Sequence, residues 1–195
     1  CSAYFTGRIK VIYRPLPQQQ ASMYTVHKMV SSEAFKNHRA LIVGGSRGLG
    51  EVTAKIIAAG GGHPYITYYK GRDDATRIAD EIKTQKGLCT VLSCDINNPV
   101  TALTLLAEAG NLPDVIYYFA SPKIFVRKNK VYSRKLYTLF TQYYIDGFAS
   151  LYQTFRSFST GQLTLFYPSS TALDTPVRNL AEYTTTKAAG ENLCR

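Results

Sequence analysis

From about residue 39 onward, hydrophobic positions alternate between two periodicities. Short apolar runs, each the length of a β-strand, are separated by longer segments in which apolar residues recur every three or four positions, as on one helix face. Strands that are apolar almost throughout predict a parallel sheet with helices on both faces. The predicted strands span 40–43, 65–69, 88–92, 115–120 and 163–167; the predicted helices span roughly 49–59, 73–86, 99–109 and 131–158, and a last helix contains Tyr183 and Lys187.

The predicted fold is a Rossmann-type, doubly wound α/β domain that is truncated after about five strands. We assign residues 38–195 to this domain, incomplete at its C-terminus. Residues 1–37 form an N-terminal extension, in which Arg8 to Arg14 alternates like a strand and Pro15 to Gln20 breaks regular structure. The extension is either the tail of an upstream domain or an arm packed on the main domain. Because the chain starts at Cys1 and stops at Arg195 inside a helical pattern, we interpret it as a fragment.

A glycine-rich turn, Gly44-Gly45-Ser46-Arg47-Gly48-Leu49-Gly50, follows the first predicted strand and precedes the first predicted helix. Gly44 allows a tight turn, and Gly48 and Gly50 allow close approach of the backbone. The N-terminus of the following helix offers free N–H groups and a positive dipole end to a pyrophosphate. The turn therefore predicts a dinucleotide site at the carboxyl ends of the strands.

Tyr183 and Lys187 are four residues apart in the last predicted helix, so their side chains share a face. A nearby ammonium stabilises a phenolate, which helps a phenol to donate its proton near neutral pH. Ser170 precedes Tyr183 by thirteen residues and could hydrogen-bond a substrate oxygen, with Ser169 as the rival serine. The alternative is a surface tyrosine and lysine without a chemical role.

These motifs together resemble those of the short-chain dehydrogenase/reductase family, over about residues 38–195. Ile42 to Gly50 is similar to its Thr-Gly-x-x-x-Gly-x-Gly turn, and Cys94-Asp95-Ile96 to its Asp-Val/Ile pair. The resemblance implies that Asp95 contacts the adenine and that Lys187 also binds the nicotinamide ribose. The implied catalytic residues are Ser170, Tyr183 and Lys187; the implied cofactor-binding residues are Gly44, Ser46, Arg47, Gly48, Leu49, Gly50, Asp95, Ala120 and Lys187.

The charges near the second predicted strand favour NADP over NAD as the cofactor. NAD enzymes of this architecture place an acid near the end of that strand, whereas the chain has Thr67-Tyr68-Tyr69-Lys70 there and its next acid is Asp73. Arg47, Lys70 and Arg72 suit a 2′-phosphate instead. We therefore expect an NADP-dependent oxidoreductase that reduces a carbonyl substrate by hydride transfer.

Three departures from the family's pattern favour an alternative, a degenerate cofactor-binding module without turnover that serves assembly. Val43 replaces the usual threonine of the turn, which removes one hydrogen bond. Tyr118 to Ser121 replaces the usual Asn-Asn-Ala-Gly. Tyr144 stands where the family has its catalytic asparagine, so the usual proton-relay water is in doubt.

Net charge is +10, and six cations fall within thirteen residues without an intervening acid. A field of that sign attracts anions, so we expect a substrate carried on acyl carrier protein or coenzyme A, such as a 3-oxoacyl thioester. The alternatives are a solvated helix entrance and nucleic-acid binding, for which no matching motif is present. The six cations are Lys123, Arg127, Lys128, Lys130, Arg134 and Lys135.

The remaining sequence signals indicate a cytoplasmic protein, and by resemblance a homo-oligomer in its full-length form. No stretch of about 18 apolar residues or signal-peptide pattern occurs, so we expect neither a membrane span nor secretion. The four cysteines form no Cys-x-x-Cys pair, which favours reduced thiols. The three histidines are isolated from each other and from the cysteines, so no metal site is expected.

Overall fold

A computed structural model of the chain describes residues 21–124, 132–175 and 179–194. The described residues form one five-stranded sheet in the order β3-β2-β1-β4-β5, and every neighbouring pair is parallel. The predicted Rossmann-type α/β fold is therefore confirmed. The strands are β1 (Arg39–Val43), β2 (His63–Tyr68), β3 (Thr90–Ser93), β4 (Val115–Tyr118) and β5 (Thr164–Phe166). The helices are α1 (Met23–Met29), α2 (Gly48–Ala59), α3 (Arg72–Thr84), α4 (Val100–Glu108), α5 (Arg134–Thr141), α6 (Gly147–Phe158), α7 (Thr171–Asp174) and α8 (Ala181–Asn192).

Side chains of the central strand β1 alternate between two hydrophobic cores, one on each face of the sheet. Ala40 and Ile42 pack with apolar residues of α1, α2 and α3, whereas Leu41 and Val43 pack with α4 and α6. This alternation follows from the pleat of a strand. Burial on both faces explains why the strand is apolar from Ala40 to Val43. The edge strand β5 is shorter, and Phe166 on it is 46% exposed.

The long helix predicted over 131–158 is instead two α-helices joined by a π-helical turn at Gln142–Asp146. The N–H of Gly147 donates to the carbonyl of Gln142, five residues earlier. A π-turn inserts one residue into a helix and leaves neighbouring carbonyls in need of other donors. The apolar periodicity carried no signal for this insertion because the residues on both sides of it are helical.

The first turn of α3 contains two acidic residues, Asp73 and Asp74, either of which could cap a helix from its place in the sequence. Gly71 is its N-cap residue, and Asp73 and Asp74 lie in the first turn. Carboxylates there still interact favourably with the helix dipole. Asp74 takes a different role, described below, because its carboxylate faces the glycine-rich turn.

The N-terminal helix α1 is joined to α2 and α3 through a buried ammonium. Lys55 Nζ on α2 is fully buried and donates to the carbonyl of Ala21 (2.7 Å), to Glu51 (2.8 Å) and to Glu81 (2.6 Å). The other oxygen of Glu81 accepts from the N–H of Met23 (3.1 Å). Residues 21–29, part of the predicted extension, thus pack against the main domain. Arg8 to Arg14 and Pro15 to Gln20 lie outside the described residues.

Replacing Lys55 with methionine tests this anchoring. The substitution keeps an unbranched side chain of nearly the same length, but among the described residues it leaves the buried Glu51 carboxylate with only Arg77 as a cationic partner. Breaking a buried ion pair from one side is strongly destabilising, so we expect urea denaturation to show a loss of about 3 kcal/mol in the free energy of unfolding.

The matched control is Lys36→Met, which removes an ion pair with Glu33 whose two side chains are 61% and 64% exposed. An exposed pair contributes little, so this variant should change the free energy of unfolding by less than about 0.5 kcal/mol. Equal losses in the two variants would contradict the anchoring role of Lys55.

Candidate cofactor and active site

Two glycines let the glycine-rich turn pass between the ends of β1 and β4 and the start of α2. Gly44 has a φ of +78°, and a Cβ there would lie 2.9 Å from the backbone of Phe119 and Ala120. A Cβ on Gly50 would lie 2.5 Å from the carbonyl oxygen of Gly44. Any side chain at either position would force the backbone apart. The turn therefore packs by direct contact between backbone atoms, and a ligand could approach its backbone equally closely.

Thr67 on the neighbouring strand β2 holds the glycine-rich turn in place through hydrogen bonds. The N–H of Gly44 donates to Thr67 Oγ1 (3.2 Å), which in turn donates to the carbonyl of Ile42 (3.3 Å), and the N–H of Gly45 donates to the Thr67 carbonyl (3.1 Å). Thr67 is 2% exposed. A hydroxyl from the neighbouring strand thus supports the turn in which Val43 carries none. The pairing of Ile42 with Ile66 sets this contact, so the sequence could reveal it only once the strand register was known.

A cleft of about 390 Å³ opens at the carboxyl ends of β1, β2 and β3. It has the size of a small-molecule site and lies where parallel sheets bind ligands. The cleft is lined by Gly44, Ser46, Arg47, Asp95 and Ala120 among the predicted cofactor residues, and by Tyr69, Lys70, Ser121 and Tyr143. One oxygen of Asp95 accepts from the backbone and side-chain N–H groups of Asn97 (2.9 and 3.0 Å), which orients the carboxylate at the wall.

Arg47 is held at the edge of this cleft by a carboxylate. Its Nε donates to Asp74 Oδ2 at 2.5 Å, and the arginine side chain is 66% exposed. Lys70 lies on the same wall, its ammonium 5.6 Å from the ring centroid of the exposed Tyr69. Three side chains that can contact a ligand phosphate or aromatic base therefore meet at the end of β2. The spacing of the sequence did not reveal that Asp74 competes for Arg47.

A second cavity, of about 260 Å³, lies beside the cleft at the ends of β4 and β5. Gly44, Arg47 and Ala120 line both spaces, so the two adjoin at the glycine-rich turn. The second cavity is lined by most of the other predicted site residues, namely Leu49 and Gly50 of the turn and Tyr183 and Lys187 of α8, and by Ser121, Tyr144 and Ser169. Gly48 and Ser170 line neither cavity.

The two predicted serines differ in orientation. Ser170 is the N-cap of α7, and its hydroxyl accepts from the N–H of Ala172 (3.3 Å). Ser169 is exposed and lines the cavity together with Tyr183 and Lys187. Ser170 would have to leave its cap to reach a bound substrate, whereas Ser169 is already at the cavity wall. The sequence could not distinguish them because spacing alone does not reveal which hydroxyl a short helix uses as its cap.

Lys187 is 5% exposed, and its ammonium lies between aromatic rings. Its Nζ is 3.9 Å from the ring centroid of Tyr167 and 4.8 Å from that of Tyr144. Burial lowers the pKa of Lys187 to about 8, although the charges of Glu191 and Cys194 act in the opposite direction. A lysine with this pKa changes its charge close to physiological pH, which is typical of functional sites.

Tyr144 occupies the position of the family's asparagine and presents a phenol instead. Its hydroxyl is 2.6 Å from Ser121 Oγ, and its ring stands edge-on to that of Tyr183 at 5.6 Å between centroids. Burial raises the pKa of Tyr144 to about 12, with the Ser121 hydrogen bond acting in the opposite direction. Tyr144 therefore keeps its proton at neutral pH and can donate a hydrogen bond or accept one.

Two further tyrosines supply donors to the π-turn. Tyr118 donates its hydroxyl proton to the carbonyl of Tyr143 (2.6 Å), and Tyr167 donates to the carbonyl of Tyr144 (3.2 Å). These two phenols, one at the end of β4 and one directly after β5, thus bind carbonyls at the π-turn. Sequence reasoning missed Tyr167 because its partner is a backbone carbonyl, which no side-chain motif records.

The residues present fit a dinucleotide at this site. No side chain caps α2, so the N–H groups of its first turn lack a side-chain acceptor among the described residues, and Leu49 and Gly50 of that turn line the second cavity. Gly44 and Gly50 allow a pyrophosphate to approach those donors closely. Asp95 and Ala120 line the cleft on the side of the sheet ends, and Lys187 lies in the adjoining cavity.

No family model and no curated protein sequence matches the chain. Solved structures do match its fold. A FolM alternative dihydrofolate reductase 1 from Brucella canis, complexed with NADP, has a TM-score of 0.72 at 17% identity over 84% of the chain. A 3-oxoacyl-[acyl-carrier protein] reductase with bound NAD from Brucella melitensis has a TM-score of 0.73 at 18% identity over 86%. A double mutant of a Serratia marcescens short-chain dehydrogenase/reductase has a TM-score of 0.70 at 18% identity over 82%.

The chain spans 66% of the length of each of these three proteins. Among its described residues, no helix is both long and apolar enough to cross a membrane, and no group of three or more acidic, histidine or cysteine side chains could hold a metal ion. At these levels of identity the likeness establishes the fold. The chain has the Rossmann-type fold of the short-chain dehydrogenase/reductase structures.

Proposed function

We propose that this chain is the cofactor-binding and catalytic part of an NADP-dependent oxidoreductase that reduces a carbonyl substrate. The observation that carries the proposal is the shared wall of the two cavities. The glycine-rich turn lines both, and Tyr183 and Lys187 lie in the second one, next to the turn. A dinucleotide extending from the cleft past Ala120 would bring its reactive end beside the phenol. The fold and the NADP and NAD bound in similar structures support this arrangement.

Three side chains of the second cavity have a role in such a reaction: those of Tyr183, Lys187 and Ser169. When bound, the nicotinamide cofactor supplies the hydride. Tyr183 donates a proton to the substrate oxygen as charge develops on it. Lys187 lines the same cavity as Tyr183, where its ammonium can donate to the ribose of the cofactor. A serine hydroxyl holds the substrate oxygen, and Ser169 is better oriented for this contact than Ser170.

The preference for NADP rests on the charges at the end of β2. Arg47 and Lys70 line the cleft, and among the described residues the only acid lining it is Asp95, which lies at the end of β3. An arginine can form paired hydrogen bonds with a phosphate, which favours the 2′-phosphate that distinguishes NADP from NAD. Asp74 holds Arg47 in the structure and would have to share it with that phosphate.

Arg47→Ala should weaken the binding of NADPH far more than that of NADH. A charged hydrogen bond contributes about 1.5–3 kcal/mol, so for this exposed arginine we expect the lower end, about a tenfold rise in the Kd of NADPH. Asp74→Asn should have the opposite effect, because it frees Arg47 from its carboxylate partner. Fluorescence titration of the two cofactors measures both changes.

Arg156→Ala is the matched control, because Arg156 on α6 bonds the carbonyl of Gly161 and lines neither cavity. It should leave both Kd values unchanged. Equal affinity of the unmodified protein for NADPH and NADH would exclude the proposed preference, and absence of binding to either would exclude the proposed function.

Tyr183→Phe should abolish most of the turnover and spare the binding of NADPH. The change removes the proton donor and keeps the ring that packs against Phe140 and Tyr144. Loss of a general acid lowers the rate by about a hundredfold or more, which stopped-flow measurement of NADPH oxidation with a panel of ketones and 3-oxoacyl thioesters would detect.

Tyr152→Phe removes a hydroxyl from an exposed tyrosine of α6 and serves as the control. Its turnover should equal that of the unmodified protein. If Tyr183→Phe retained near-normal turnover, the phenol would not be the acid.

The basic stretch, which runs from Lys123 to Lys135, favours a substrate that is linked to a phosphate-bearing carrier. Ile124 lines the second cavity, and Lys123 beside it is exposed, so the described start of the stretch borders the proposed substrate entrance. Arg134 and Lys135 are exposed on α5, and Arg127, Lys128 and Lys130 lie outside the described residues. Acyl carrier protein and coenzyme A both present phosphates that such cations attract.

Lys123→Glu should raise the KM for a substrate linked to coenzyme A and leave the KM for a small neutral ketone unchanged. The effect should diminish with added salt, because exposed charges are screened over about 8–10 Å at ordinary ionic strength. Steady-state kinetics at two salt concentrations tests this. A similar change for both substrates would argue against recruitment of a carrier.

The second candidate function is a cofactor-binding module without turnover. The cap role of Ser170 favours it, because the serine with the family's spacing is engaged elsewhere. The same experiments distinguish the two functions, since a module of this kind would bind NADPH but oxidise it with none of the carbonyl substrates.

A further inference from the structure

The ammonium of Lys187 is held by aromatic ring faces rather than by a carboxylate. Its Nζ lies over the ring of Tyr167 and over that of Tyr144, at 3.9 and 4.8 Å from the ring centroids. No carboxylate of the described residues lies within 4.0 Å of it, and none of their atoms accepts a hydrogen bond from it. A buried lysine without an anion is unusual, because its charge loses hydration that the site must replace.

Specific contacts fix both rings in this position. The hydroxyl of Tyr167 donates to the carbonyl of Tyr144 (3.2 Å), and the hydroxyl of Tyr144 is bonded to Ser121 (2.6 Å). Gly190 makes the approach possible, since a Cβ there would lie 2.1 Å from the hydroxyl oxygen of Tyr167 and 2.7 Å from the carbonyl oxygen of Tyr144. The two ring faces are therefore tied to each other, to the π-turn and to α8, which carries Lys187.

We propose that Tyr144 and Tyr167 are positioning residues that hold the ammonium of Lys187 in the second cavity through their ring faces. The role of Lys187 in the reaction rests on the proposed function, whereas the contact itself does not. An aromatic face attracts a cation through the electrostatic field of its π-electrons, most strongly when the cation is desolvated. Tyr144 takes this role at the position where the family has an asparagine.

Holding an ammonium by ring faces has a chemical advantage over holding it by a carboxylate. A ring stabilises the charge but accepts its N–H groups only weakly, so the three donors of the ammonium stay available to a bound ligand. A carboxylate at the same place would occupy those donors and strengthen the hold of the lysine on its proton. The aromatic arrangement keeps Lys187 positioned and still responsive to its surroundings.

Stepwise fluorination of one ring tests the proposal. Tyr167→Phe serves as the starting variant, and 4-fluoro-, 3,5-difluoro- and 3,4,5-trifluorophenylalanine are then incorporated at the same position. Fluorine withdraws charge from the ring face while the ring changes little in size. The attraction to the ammonium therefore weakens in steps, and the pKa of Lys187 should fall by about one from the first variant to the last.

The pKa is measured without cofactor or substrate, from the pH dependence of the rate at which a small amine reagent acylates Lys187, followed by mass spectrometry. The other titratable groups facing Lys187 are Tyr144, Tyr183, Glu191 and Cys194, and all of them are unchanged throughout the series. A monotonic trend can therefore come only from the ring. If Tyr167→Phe fails to fold, the same series at Tyr144 replaces it.

The same series at Tyr152 is the matched control, because that ring lies beneath Arg156 on exposed α6. It should leave the pKa of Lys187 unchanged. A flat series at Tyr167, or an equal fall in the two series, would overturn the proposal.

Failure of the proposed function gives a different result from failure of this inference. A trend at Tyr167 in a protein that neither binds nor oxidises NADPH would support the ring contact and reject the function. Turnover of NADPH together with an unchanged pKa of Lys187 across the series at Tyr167 would support the function and reject the ring contact.

Discussion

The structure depends on one close approach, that of the start of α2 to the ends of β1 and β4. Gly44 and Gly50 bring backbone atoms to distances that no side chain would allow. This contact places the N-terminus of a twelve-residue helix against the sheet and opens a cavity on each side of the turn. The cleft and the second cavity therefore both depend on this one backbone contact. If the turn widened, the two spaces would lose their common wall.

The fold could be predicted from the sequence because the hydrophobicity of each strand reflects how deeply that strand is buried. The central strands are mostly apolar and buried, which indicates two covered faces, and alternation with helical segments indicates parallel pairing. The predicted boundaries differ from the observed ones by one to two residues in most strands. The π-turn and the cap of α3 were not predictable, because both depend on local backbone geometry that the hydrophobic pattern does not record.

The site was predictable in its parts but not in its contacts. The glycine-rich turn, Tyr183 and Lys187 could be found from spacing, and the structure brings them around adjoining cavities. The brace from Thr67, the partner of Arg47 and the orientation of the two serines depend on side chains from distant segments. Such contacts follow from strand register and from helix capping. The roles of these residues in binding and catalysis stay predictions that the experiments above address.

The absent side chain of Gly190 constrains how this protein can vary. A Cβ at position 190 would overlap the phenol of Tyr167, with 2.1 Å to its oxygen and 2.6 Å to its Cζ. A larger residue at position 190 therefore requires a smaller one at position 167 and also a shift of the Tyr144 carbonyl, which lies 2.7 Å from the same Cβ and would lose its donor. The two positions form a coupled pair, so their identities should change together among divergent copies of this chain. Alanine at position 190 together with tyrosine at position 167 is then disfavoured by geometry alone.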